Sequence, residues 1–138
     1  MKIIVDTNVV LDAIASRSPF DKAAQEIIRL AAAKEIDAAI TASTASDIFY
    51  IARKYLQSAE ETIKQMRKLF TILDIISVEK SDCLAAFETG MSDYEDSLLA
   101  VCALRWNADC IITRHAPDFA ASSVPAIAPT AFLEKIRR

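Results

Sequence analysis

Three apolar residues run straight into three polar ones near the start of this chain: Ile3-Ile4-Val5, then Asp6-Thr7-Asn8. A β-branched run that stops at an acid reads as a buried parallel strand. Residues 9–14 then read as a helix. The alternation recurs along the chain. Ser18-Pro19 reads as an N-cap with proline at the first helical position, opening a helix through Ala23, Ala24, Ile27, Ile28 and Ala31. Asp37–Thr41 is a short second strand, followed by a helix over residues 46–56. Ser58 and Glu61 have the spacing of a capping box and open a helix with Ile63, Met66, Leu69 and Phe70 as its apolar stripe. Residues 74–78 form a third strand. A helix opened by Ser81 ends at Gly90, in the left-handed conformation that glycine favours there. Ser92 and Glu95 suggest a second capping box, with a helix running to about Asn107. Residues 110–113 read as a fourth strand and 126–128 as a short fifth. Pro129-Thr130 begins a last helix ending in Lys135, Arg137 and Arg138, where cations suit the helix dipole. Strands alternating with helices predict a parallel α/β sandwich.

Composition sharpens this picture. The chain has 138 residues, read as one domain over 1–138, and is 53% hydrophobic. A domain of that size buries roughly two-thirds of its unfolded surface. No apolar run approaches the roughly 18 residues of a membrane span, and Met1-Lys2 leads into a strand and not a signal sequence. Cys83, Cys102 and Cys110 form no C-x-x-C pair and read as reduced thiols of a cytoplasmic protein. One glycine and four prolines argue against a phosphate-cradling Gly-rich loop, and no repeat is visible. The net charge is −3, which alone does not suggest a nucleic-acid binder. Setting aside four acids gathered at a metal site leaves +1, so an acidic chain is compatible with a polyanionic substrate.

The candidate chemistry lies in the acids. Asp6 ends the first strand, at the carboxyl edge where open α/β sheets hold ligands; Asp6 or Asn8 also suits an N-cap. Asp96 shares a helix face with Leu99, Ala100 and Ala103, so it points inward near its helix start. A buried carboxylate without a partner costs several kcal/mol, so it wants a cation, a proton or its own helix terminus. Glu95 is accounted for by the capping box, against the alternative of a supporting role at the site. Asp47, near the start of its helix, is either a dipole-favoured first-turn acid or a site residue beside Tyr50, Ile51 and Tyr55. Asp118 follows the fourth strand, which ends at the same sheet edge as Asp6. Four carboxylates at one edge stay ionised together only if divalent cations neutralise them, and oxygen ligands select Mg2+ or Mn2+. Ions held this way activate water and stabilise in-line displacement at phosphorus, with no need for a histidine base. The single histidine, His115, reads as a loop residue. Arg53, Lys54, Lys64, Arg67, Lys68 and Arg114 are candidate phosphate contacts, against the alternative of solvated helix faces.

Three motifs carry a family resemblance: Ile4-Val5-Asp6-Thr7-Asn8, Tyr94-Glu95-Asp96-Ser97-Leu98, and Ile111-Ile112-Thr113-Arg114 followed by Asp118-Phe119. In this order and spacing the chain resembles a PIN domain, most like the VapC-type toxin ribonucleases of bacteria, over nearly its whole length. The resemblance implies a three-layer α/β/α sandwich around a mostly parallel sheet of four or five strands. It implies that Asp6 and Asp96 bind the metal, that Asp118 is a further metal-site acid, and that Asn8 and Thr113 support the pocket. Many relatives carry Glu in the early helix where this chain offers Asp47, one methylene shorter. The resemblance further implies an RNA substrate, a homodimer and a small antitoxin partner.

The reading is a Mg2+-dependent endoribonuclease, the toxin of a toxin–antitoxin pair. The alternative is a catalytically inactive PIN-like scaffold that binds RNA or protein, supported by the shortened acid at Asp47. An aspartate-phosphorylating domain fits poorly: Asp6 is followed by Thr7-Asn8 where a phosphatase needs Asp-x-Asp, and the third strand begins with its acid and ends at Val78.

Overall fold

The computed structural model describes residues 1–137; Arg138, expected at the end of the last helix, lies outside the described residues. Five strands form one sheet in the order β3-β2-β1-β4-β5: β1 (Lys2–Val5), β2 (Asp37–Thr41), β3 (Asp74–Ile76), β4 (Cys110–Ile112) and β5 (Ala126–Ile127). Every pairing is parallel, as the alternation of strands and helices predicts.

Alternation along the central strand sets the layers. Ile3 and Val5 face one side, where they pack with Val9, Ile27, Ile40, Ile48, Met66 and Phe132. Apart from Ile40 of β2, those residues come from α1 (Thr7–Ile14), α2 (Asp21–Ala32), α3 (Ala42–Leu56), α4 (Ala59–Ile72) and α7 (Pro129–Ile136). Ile4 faces the other side and packs with Ile111, Leu99, Ala103 and Phe119. The helices there are α5 (Lys80–Ala85) and α6 (Tyr94–Arg105). The result is the expected three-layer α/β/α sandwich. Ile3, Ile4 and Ile111 have no exposed surface, and each such side chain stabilises the fold by about 1.5–3 kcal/mol.

Several helix starts differ from the sequence expectation. Pro19 sits in the turn before α2, which begins at Asp21 after Phe20; the Phe20 N–H is taken by the Arg17 carbonyl at 3.0 Å. α3 starts at Ala42, four residues earlier than expected, with the Thr44 hydroxyl donating to the Thr41 carbonyl at 2.9 Å. Asp47 is therefore no first-turn acid. Ser58 caps α4, accepting from Glu61 N–H at 3.1 Å, whereas the Glu61 carboxylate accepts from Gln65. Of the stripe expected on α4, Met66 and Leu69 are buried while Ile63 and Phe70 are exposed. β3 ends at Ile76, and the next carbonyl, that of Ser77, accepts from Arg105. α5 is short and is capped by a reciprocal box of Glu79 and Asp82; Ser81 caps nothing. Gly90, with φ +80, follows a 3-10 turn over Ala86–Glu88 and not the end of a long helix.

Strand order fixes where a site can form. From β1 the chain winds outward through β2 and β3, then returns across the sheet to β4 on the other flank of β1. The crevice beyond the carboxyl ends of β1 and β4 is thus the topological switch point, the usual ligand position in such sheets. Val5 registers with Ile112, which sets Asp6 beside Thr113 one step further on.

Candidate active site

Asp6 does two things. As N-cap of α1 its Oδ1 accepts from Thr7 N–H at 2.8 Å. Its Oδ2 accepts from the Thr113 hydroxyl at 2.8 Å and from Asn8 Nδ2 at 3.1 Å. The cap and the site, alternatives at the level of sequence, are one carboxylate. Thr113 is fully buried, and its hydroxyl also accepts from His115 N–H at 3.1 Å. Asn8 Oδ1 accepts from Arg114 N–H at 3.3 Å. Asn8 and Thr113 thereby lock the ends of β1 and β4 around Asp6. Burial still pushes the Asp6 carboxyl upward in pKa, against the lowering by these hydrogen bonds.

Asp96 enters from the first turn of α6. The helix is capped by Asp93, whose carboxylate accepts from Asp96 N–H at 2.9 Å. The expected box of Ser92 and Glu95 is off by one residue. Leu99, Ala100 and Ala103 are buried, so the face carrying Asp96 is the inward one. Asp6, Glu95 and Asp96 all line a single cavity of about 320 Å3. Asp96 is raised to about 6, first by burial and then by the charges of Asp93, Asp6 and Asp118.

Glu95, freed from capping, turns to Asp47. A hydrogen bond to Asp47 is the largest cause of its raised pKa, followed by burial and the Asp47 charge. Asp47 is exposed and stands one turn from Thr44 and Ile51, which line the cavity; Asp47 itself reaches the cavity through Glu95. Asp118 is exposed, in the 3-10 turn Ala116–Phe119 beyond β4. It lies outside the cavity wall, yet its charge is felt at Asp96.

A buried acid that the sequence reading missed organises the cations. Asp12 is 1% exposed in α1. Its Oδ1 accepts from Arg17 Nε at 2.8 Å and from Arg114 Nη2 at 3.3 Å. Arg114 Nε is 2.8 Å from Oδ2 but poorly aligned to donate. Arg17 also donates to the Asn8 carbonyl at 3.0 Å and to the Tyr55 hydroxyl at 3.3 Å. The available signal was a lone acid inside the apolar run of α1, which has to find a cation. Both arginines line the acid cavity, yet their charge is engaged by Asp12.

The fit to a metal follows from this division. The donors facing the cavity are carboxylate oxygens, the set that hard divalent cations take. The wall cations are directed elsewhere, and Asp6, Glu95 and Asp96 are all pushed toward their protonated forms. Among the described residues no group of three His, Cys, Asp or Glu side chains already stands in a metal-holding arrangement; the acids are grouped about the cavity and not closed on one point. The chemistry of the donor set fits a divalent ion.

The sequence matches the PIN domain family over residues 2–116. Similar folds occur in VapBC2 from Rickettsia felis, bound to a DNA fragment from their promoter (TM-score 0.70, 18% identity, 93% of this chain and 98% of that chain). A toxin–antitoxin complex from Klebsiella pneumoniae gives a TM-score of 0.68 at 22% identity, covering 92% and 97%. FitAcB from Neisseria gonorrhoeae gives 0.69 at 14%, covering 93% and 98%. At these identities the likeness speaks for the fold. No protein of curated function matches the sequence.

Proposed function

The chain belongs to the PIN domain family, and from that premise we propose that it is a Mg2+-dependent endoribonuclease, the toxin of a toxin–antitoxin pair. The observation that carries this reading is the meeting of Asp6 and Asp96, from opposite ends of the chain, in one cavity at the switch point of the sheet. Asp6, Asp96 and Asp118 would hold Mg2+ or Mn2+, and Asp47 would act with Glu95 at the rim. When bound, the ion supplies an activated water and neutralises charge at the phosphate undergoing in-line displacement. Asn8 and Thr113 hold Asp6 in one orientation. Burial keeps the Asp6 and Asp96 carboxyls poorly solvated, which strengthens their hold on a cation. Arg17 and Arg114 share the single Asp12 carboxylate, so the group keeps a net positive charge beside the acids, which favours a phosphodiester strand. The products would be a 5′-phosphate and a 3′-hydroxyl.

Similar folds are found in VapBC2 and in a toxin–antitoxin complex, which supports a small antitoxin partner here; a homodimeric toxin is part of the same proposal. The deciding experiment is cleavage of RNA in Mg2+ and in EDTA by the wild type, Asp6→Asn and Asp96→Asn. Cleavage confined to the wild type in Mg2+ is the expected result. Equal cleavage in all of them removes the proposal, and no cleavage in any condition favours the inactive scaffold.

A further inference from the structure

The acid cavity shares a wall with a second one. Arg114 and His115 line both, and the second cavity has a volume of about 540 Å3. Its other walls are Phe20 and Pro19, from the turn before α2, and Pro129, the first residue of α7. Its surface is mainly carbon. Phe20 is 44% exposed and belongs to neither apolar core cluster. The Arg114 guanidinium lies 4.1 Å from the Phe20 ring centroid, while its other edge faces the buried Asp12 carboxylate. A cation fixed in this way stands between an acidic cavity and an aromatic slot.

Resting on the ribonuclease reading, we propose that this slot receives an unpaired base of the RNA strand next to the phosphodiester that is cut, stacked on Phe20, with Arg114 on the phosphate between them. Three observations favour this occupant. The slot adjoins the acid site, with Arg114 and His115 in the wall between them. Arg114 covers one face of the Phe20 ring, the ring keeps exposed surface, and every nucleobase offers a π face to such a ring. The slot's one fixed charge is positive, and arginine suits phosphate oxygens. A duplex cannot present a base to such a slot without unstacking it, so the site selects single-stranded RNA.

The test uses the full chain and a short single-stranded RNA in which each base flanking the mapped cut is replaced in turn by an abasic residue. Wild type, Phe20→Ala, Phe20→Trp and Thr130→Trp are compared by kcat and KM in Mg2+, and by RNA binding in EDTA, where nothing is cut. At one flanking position the abasic residue raises the wild-type KM about tenfold, the scale of one lost stack. Phe20→Ala raises it equally and makes that position indifferent to the abasic change, with kcat nearly constant. Phe20→Trp restores the wild-type pattern, and Thr130→Trp, which fills the slot from the exposed start of α7, imitates the loss. Cleavage with abasic penalties unchanged by Phe20→Ala and by Thr130→Trp overturns the slot but keeps the nuclease. Binding in EDTA that depends on Phe20 and on one base, without cleavage in Mg2+, keeps the slot and removes the nuclease. A change in self-association on Phe20→Ala, with RNA binding and cleavage unaffected, makes the slot a contact between copies and overturns the proposal.

Discussion

The Thr113 hydroxyl donates to Asp6 Oδ2 across 2.8 Å, tying the end of β4 to the end of β1. Both residues are one step past paired strand ends, since Val5 registers with Ile112. The sheet itself therefore aims the carboxylate, and the threonine fixes its rotation.

Thr113→Val keeps the shape of this buried side chain and removes the donor. Asp6 loses a hydrogen bond that lowers its pKa, so its proton affinity rises further. Support of this kind for a ligand is worth about 10- to 100-fold in metal affinity, and the two bonds lost, to Asp6 and from His115 N–H, cost about 1 kcal/mol of stability each. Mg2+ titration by calorimetry and urea unfolding measure the two effects.

Asp96 dictates a pH dependence. Its pKa in the fold is raised to about 6 from an ordinary value near 3.8. The folded chain then binds a proton between those values that the unfolded chain has released. This stabilising contribution is full below the ordinary value and is lost as pH rises through about 6. Melting in EDTA is expected to move upward on acidification from pH 7.5 to 5. Asp96→Asn flattens that trend and raises the Tm at pH 7.5. Mg2+ raises the wild-type Tm more at pH 7.5 than at 5, because the proton competes for the same oxygens.

Glu95 is shifted in the same direction as Asp96, but by a partner that can be removed. Asp47→Asn removes the partner and the charge that raise Glu95. The Glu95 pKa falls, and the acid limb of the cleavage rate profile shifts to lower pH. A carbon-detected NMR titration of the Glu95 carboxyl reads the shift directly.

Asp12→Asn leaves Arg17 and Arg114 facing each other without their shared counter-charge. Breaking such a buried pairing costs about 3 kcal/mol, the lower end for this class because both arginines are partly solvated. Equilibrium urea unfolding at pH 7 measures it. RNA binding weakens at the same time, since Arg114 is no longer held against Phe20.

The parts of this architecture that were legible in the sequence have local causes. The run Ile3-Ile4-Val5 ending in Asp6 needs a covered strand and an open edge, and both are present. Asp96 was legible because its helix face carries only small and apolar residues. Glu95 was misread because Ser92 and Asp93 can each cap α6, and a shift of one residue decides whether Glu95 is spent on the helix or turned into the cavity. The early start of α3 was hidden because residues 42–46 are small or hydroxylated and show no apolar period. Asp12 resembled an ordinary helix acid; its partner Arg114 lies 102 positions away, a distance no local pattern can bridge.

The return of the chain from β3 to β4 has a consequence for synthesis. A nascent chain that has emerged only through residue 90 carries Asp6 and Asp47 but neither Asp96 nor Thr113. Its half-built sheet has no crevice and its acids have no common pocket. On the ribonuclease reading, a chain stopped before β4 cannot assemble the pocket, and activity waits until Asp96 and Thr113 have both been made and folded against Asp6.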